Sequence, residues 1–95
     1  MDRTEFENGL RRDGYDAALD RHMDANATNP EHSHEFDARL LIIEGEITIG
    51  QGGVDRTYRT GDSCAFPAGT KHTEHAGPQG VRYLAGRRFP QKQAG

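Results

Sequence analysis

Apolar residues along the chain follow two different periods. In the first fourteen residues Phe6 and Leu10 stand four apart, the spacing that puts two side chains on one face of a helix. Thr4 can cap this segment, with Glu7 as its capping-box partner, and Gly14 can supply the stop. One short helix over residues 1–14 is therefore predicted. From Tyr15 onward the pattern is that of strands, with turn chemistry at intervals of roughly 8–12 residues. Tyr15 to Met23 alternates loosely. Asn26 to Glu31 (NATNPE) reads as a loop. Ala38 to Gly50 (ARLLIIEGEITIG) carries the strongest β signal and is broken once, at Gly45, as expected for a bend or tight turn. Gly50 to Asp55 is a hairpin tip, Thr57 to Thr60 a short strand, and Gly61-Asp62 a turn. Ser63 to Phe66 is a strand stopped by Pro67, and Ala68-Gly69-Thr70 turns the chain. Lys71 to Ala76 opens the next strand, Gly77 to Gly80 reads as a loop, and Val81 to Phe89 closes the set. The tail at 91–95 is expected to fray.

Many short strands with frequent turns predict an all-β sandwich or barrel, over residues 15–90, with the helix packed on its outside. The 95 residues suffice for one domain. Only 33% of them are apolar, so the core is lean, and a homodimer that buries a sheet face is the expected source of extra stability. The net charge is −3, and the basic clusters, Arg11-Arg12 and Arg87-Arg88, lie near the ends of the chain. Nucleic acid recognition wants a basic stripe, so no nucleic acid partner is expected. Cys64 is the only cysteine, which leaves no intrachain disulfide to form and fits a reducing compartment. The polar N-terminus lacks the apolar stretch of a signal peptide, and no apolar run approaches the ~18 residues of a membrane span. The expectation is a soluble, cytoplasmic protein with no membrane partner.

Five histidines carry the candidate chemistry. His32 and His34 are spaced by two, and on a strand residues i and i+2 project to the same face, so both imidazoles can converge on one ion. Downstream, Gly61-x5-Pro67-x-Gly69-x2-His72 sets a glycine turn, a strand, a proline-glycine turn and then a histidine. Gly69 can reverse the chain so that His72 opens an antiparallel neighbour, which brings one histidine opposite a distant His-x-His pair. His32, His34 and His72 are the candidate ligands of one divalent metal ion.

In these residues the chain resembles the cupin superfamily. The first motif of that family reads G-x5-H-x-H-x3–4-E-x6-G and is matched by His32, His34 and Gly45. The second, G-x5-P-x-G-x2-H-x3-N, is matched by Gly61, Pro67, Gly69 and His72. The resemblance implies a jelly-roll β-barrel of six to eight strands with the metal inside. Three positions depart from the pattern. Asn26 stands for the opening glycine, Ala38 for the glutamate ligand and Ala76 for the closing asparagine. Alanine cannot ligate. Strand parity turns Glu35, Asp37 and Arg39 away from the site, although a bulge could bring Asp37 back. His75 lies on the face opposite His72, whereas Glu74 shares its face and is the better candidate for an acid beside the metal. His22 has no motif behind it.

Three neutral imidazoles leave the ion its full double charge, and Fe, Zn, Ni, Cu and Mn all remain open. Such a centre should attract an anionic chelating molecule that supplies the missing charge. Some three-histidine cupins are dioxygenases acting on ligands of that kind, so the resemblance implies a dioxygenase, lyase or isomerase. The alternative is a non-catalytic module that binds or senses a small ligand. Phe36, Leu40, Ile42 and Phe66 are the candidate pocket lining, with Tyr83 or Arg82 on the closing strand. Parity across a turn leaves Cys64 open to either side.

Overall fold

The computed structural model describes residues 1–90, and the tail at 91–95 lies outside them. The chain runs α1 (Arg3–Arg12), β1 (Leu19–Met23), β2 (Thr28–His32), β3 (Asp37–Gln51), β4 (Val54–Arg59), β5 (Ser63–Phe66) and β6 (His72–Arg88). All strand pairings are antiparallel, in the order β1-β6-β3-β4, with β2 also on β6 and β5 also on β3. This is the all-β jelly-roll barrel with one short helix that the sequence predicts. Among the described residues no helix is long and apolar enough to cross a membrane.

Two long strands, β3 and β6, form the spine and serve both halves of the barrel. In one half, residues 37–42 of β3 and 81–88 of β6 lie between β5 and β1. In the other, residues 46–51 of β3 and 72–76 of β6 lie between β4 and β2. The crossing from one half to the other needs register shifts, which fall between Ile42 and Glu44 and between Gly45 and Ile47. The first shift changes which parity of β3 faces inward, and the second does the same on β6. Ala38, Leu40 and Ile42 are inside before the shifts and Ile47 and Ile49 after them, and together with Phe66, Ala76 and Val81 they make the barrel core. Gly45 has φ +75°, and a Cβ there would overlap the backbone carbonyl oxygen of Gly80. Position 45 is therefore a glycine for two reasons, conformation and close approach.

The expected loop at Gly77 to Gly80 is instead part of a continuous β6. These residues form the outward swing opposite the β3 bulge, and the β1–β2 turn docks on them through an Asn26 N–H to Gly77 carbonyl bond of 3.0 Å. Asn26 takes φ 60°, so it does adopt the turn geometry for which the motif uses glycine. NATNPE likewise is not a loop throughout. From Thr28 it pairs with β6, and Pro30 is tolerated because β2 is an edge strand whose outer side needs no ladder donor.

The helix is capped by Asp2, not Thr4. The Asp2 carboxylate accepts from the Glu5 N–H at 2.8 Å, while Glu7 pairs with Arg3 one turn back. Gly14, φ +77°, ends the helix as predicted. Its N–H reaches the Arg11 carbonyl at 3.3 Å, and the Tyr15 N–H reaches the Leu10 carbonyl at 2.8 Å, the paired bonds of a Schellman cap. Phe6 and Leu10 then pack with Leu41 and Leu84 on the outer face of the spine, forming a second apolar cluster. Gly86 admits this docking, since a Cβ there would come within 2.5 Å of Leu10 Cδ2.

Candidate metal centre

Three backbone devices bring the histidines together. His32 ends β2 and is the ladder partner of His72, which begins β6. His34 lies beyond the strand, in the irregular link to β3, so the His-x-His pair does not sit on one regular strand as the spacing suggested. What fixes His34 is the turn after β5. The N–H of Gly69, at φ +82°, donates to the His34 carbonyl at 2.9 Å. The glycine of the second motif therefore holds a histidine of the first.

One ring nitrogen from each of His32, His34 and His72 lies within 4.8 Å of the other two. The orientation of two rings is fixed from behind. His32 Nδ1 lies 2.7 Å from the Pro30 carbonyl oxygen, and His72 Nδ1 lies 3.0 Å from that of Thr70. A carbonyl can only accept, so each Nδ1 carries the proton and donates it, and each Nε2 is left with its lone pair free to ligate. Phe66 stacks flat on His72 at 4.9 Å, and Phe36 on His34 at 4.7 Å, so apolar faces back the cluster. Burial lowers the pKa of His34 below its usual 6.5, and the neighbouring His32 and His72 push the same way. That favours the neutral imidazole a metal requires. The donor set thus fits a divalent cation.

The three rings open on a cavity of about 440 Å³. His72 is buried, whereas His32 and His34 are half-buried toward the opening. Glu74 lines the cavity and is 9% exposed. Its Oε1 accepts from Asn29 Nδ2 at 2.8 Å and lies 3.5 Å from His32 Nε2. The acid that strand parity put beside the site is therefore there. Asp37 is not. Its carboxylate accepts from the Ala68 N–H at 2.8 Å and from Arg88 at 2.9 and 3.0 Å, and these bonds hold its pKa below the usual 3.8. His75 is exposed on the far face, and His22 stands at the cavity mouth.

Ala38, Phe36, Leu40, Phe66 and Tyr83 line the cavity as the alternation predicts. Ile42 does not, being sealed in the core, and Arg82 points out to a bidentate pair with Asp20. Arg39 also points out, onto Asp13 at 2.7 Å. Cys64 packs against the barrel core, where burial, aided by the Glu74 charge, pushes its thiol pKa up to about 12. It is no thiolate ligand or nucleophile at neutral pH. Burial also raises the pKa of Tyr83, with Glu74 adding to it, so the phenol keeps its proton. Among the cavity residues that local sequence did not point to are Leu19, Arg21, Met23, Asn29, Ala85 and Arg87. Asn29 lay in the supposed loop, whereas Arg87 shares the parity of Tyr83 and was legible from it.

Residues 20–85 match the cupin-domain family model. No functionally curated protein matches the chain in sequence. Among solved structures, an RmlC-like cupin from Shewanella frigidimarina superposes with a TM-score of 0.68 at 22% identity, covering 80% of this chain and 68% of that one. KdgF from a Halomonas species gives 0.65 at 23%, covering 81% and 70%. The cupin domain of Schizosaccharomyces pombe Cnp3 gives 0.70 at 18%, covering 78% and 56%. These likenesses are in fold.

Proposed function

The chain belongs to the cupin-domain family, and from that premise we propose that it binds one divalent metal ion on His32, His34 and His72 and uses it to hold a small, anionic, chelating molecule as ligand or substrate. The observation that carries this reading is the pair of Nδ1-to-carbonyl bonds, which leave Nε2 lone pairs free on rings whose nitrogens already lie within 4.8 Å of one another. Side chains that need only fill a core have no reason to be oriented this way. When bound, the ion would supply Lewis acidity toward such a molecule.

The remaining chemistry belongs to the chain. Glu74 is the carboxylate nearest the three rings, held by Asn29 where it can accept a proton or hydrogen bond from a molecule in the cavity. Tyr83 keeps its phenolic proton and can donate. Phe36, Phe66 and Leu40 supply an apolar wall that limits water. With a proton acceptor and a donor facing an open metal centre, the reading includes a dioxygenase, lyase or isomerase as well as a binding module that turns nothing over.

Metal analysis of purified wild type, His72→Ala and His34→Ala tests the reading. Stoichiometric metal in the wild type, lost in either variant with the far-ultraviolet circular dichroism spectrum unchanged, is expected. Because His72 packs on Phe66, the His34 variant covers the case in which loss of His72 unfolds the barrel. A metal-free wild type, or unchanged metal in a folded variant, overturns the assignment. Oxygen consumption with diketones, thiols and catechols, compared with thermal stabilisation by the same compounds, then separates turnover from binding.

A further inference from the structure

The last turn of β6 carries two arginines with opposite fates. Along this stretch the side chains of Ala85 and Arg87 face the cavity, while Arg88 and the side of Gly86 that a Cβ would occupy face the helix. Arg88 is neutralised by Asp37 and also donates to the Asp13 carbonyl at 2.9 Å. Arg87 has no carboxylate within ion-pair distance among the described residues. Its guanidinium lies 5.6 Å from the centroid of Phe36 and 5.7 Å from that of Phe89, so aromatic rings flank it and no acid satisfies its donors. A half-buried guanidinium in that setting is a strong site for an oxyanion.

The ladder partner of Arg87 is Ala38. Cross-strand partners project to the same face, and both residues line the cavity. Position 38 is where the cupin motif has its glutamate. A glutamate there would face the three histidines and Arg87 together. Alanine removes that carboxylate from both. Glu74, the acidic side chain that lines the cavity, pairs in the other half of the barrel and is bound to Asn29. We propose that Arg87 is an anion anchor, and that the ligand of this site carries two anionic ends: a chelating head for the three-histidine centre and a distal carboxylate that binds Arg87 in the space Ala38 leaves. Phe36, stacked on His34 at 4.7 Å and 5.6 Å from the guanidinium, links the two ends, so their separation is at most that of two such contacts in line, a span within reach of a short dicarboxylic chain. This inference rests on the metal reading above, and it narrows the ligand class from small anions to short dianions.

The test compares two α-keto acids of equal chain length on Zn(II)-loaded protein by isothermal titration calorimetry. α-Ketoglutarate has the distal carboxylate and α-ketovalerate lacks it, while both present the same chelating head. The wild type should bind α-ketoglutarate about tenfold or more tightly than α-ketovalerate, the discrimination expected of one charge-assisted pair. Arg87→Met should erase that ratio and leave α-ketovalerate binding unchanged. Arg87→Lys, which keeps the charge but loses the fork, should retain part of it. Equal affinities in the metal-loaded wild type, or a ratio unchanged in Arg87→Met, overturn the anchor and leave the metal centre standing. A wild type that takes up no Zn(II) overturns the metal centre and the two-ended ligand with it.

Discussion

Glutamate at position 38 would give the three-histidine centre a fourth, charged donor, and the structure sets the size of the effect. Ala38 is 7% exposed, faces the cavity, and has Phe66 and Arg87 as ladder neighbours. Without metal the new carboxylate gains a cross-strand pair with Arg87, of about 0.2–1 kcal/mol. Against this stands a desolvation cost of about 1–3 kcal/mol, kept low by the open cavity. The metal-free Ala38→Glu protein should therefore be about 1 kcal/mol less stable than the wild type. With metal the order reverses. A tenfold gain in affinity corresponds to about 1.4 kcal/mol of added stability at fixed excess of the ion. In a domain of this size 1 kcal/mol moves the Tm by about 4–8 °C, so the metal-dependent rise in Tm should exceed that of the wild type by about 6–11 °C. Thermal melts of both proteins, with and without excess Zn(II), measure the difference directly. A metal-dependent rise equal to or smaller than the wild type's would refute the placement of position 38 against the ion. In the same variant Arg87 gains a partner, and its preference for α-ketoglutarate should fall.

Two further predictions concern the frame that holds the site. Gly45→Ala forces an L residue to φ +75° and drives its Cβ into the Gly80 carbonyl, which should cost about 2 kcal/mol or more by urea denaturation. Gly52→Ala, at φ +57° with open space around the Cβ, should cost distinctly less, and equal losses would refute the close approach. Asp37→Asn should weaken the strap to Ala68 and Arg88. Because the Asp37 pKa is lowered in the fold, its contribution is fully present above the ordinary value of 3.8 and is lost as pH falls through the lower folded value. The stability gap between wild type and variant should close across that acid window, and a gap independent of pH would be the contrary result.

Much of the site is written in local sequence, and most departures come from pairing between distant strands. Gly14 and Gly69 lie at positive φ where their neighbours demand it, and Asn26 does the same without being glycine. Glu74 follows from His72 by simple alternation within an unbroken stretch of β6. Alternation fails wherever the register shifts. Turn chemistry read Thr28 and Asn29 as loop and broke β6 at Gly77, although strand pairing continues through both, whereas alternation rightly turned Asp37 away from the site, where Arg88, far along the chain, has claimed it. Thr4 lost the helix cap for a different reason: Asp2 is an equally good acceptor and lies where the helix in fact begins.

The sequence by itself determined the strand-rich barrel, the helix that packs on it and the three histidines, because these depend on residue type and on spacings of a few positions. Tertiary structure decided the rest. It turned His34 inward through the Gly69 bond, fixed the Nδ1 protons of His32 and His72 on backbone carbonyls, and paired Ala38 with Arg87 across the ladder. Those relations depend on the register between β3 and β6. Two bulges set that register, and no window of local sequence contains both strands.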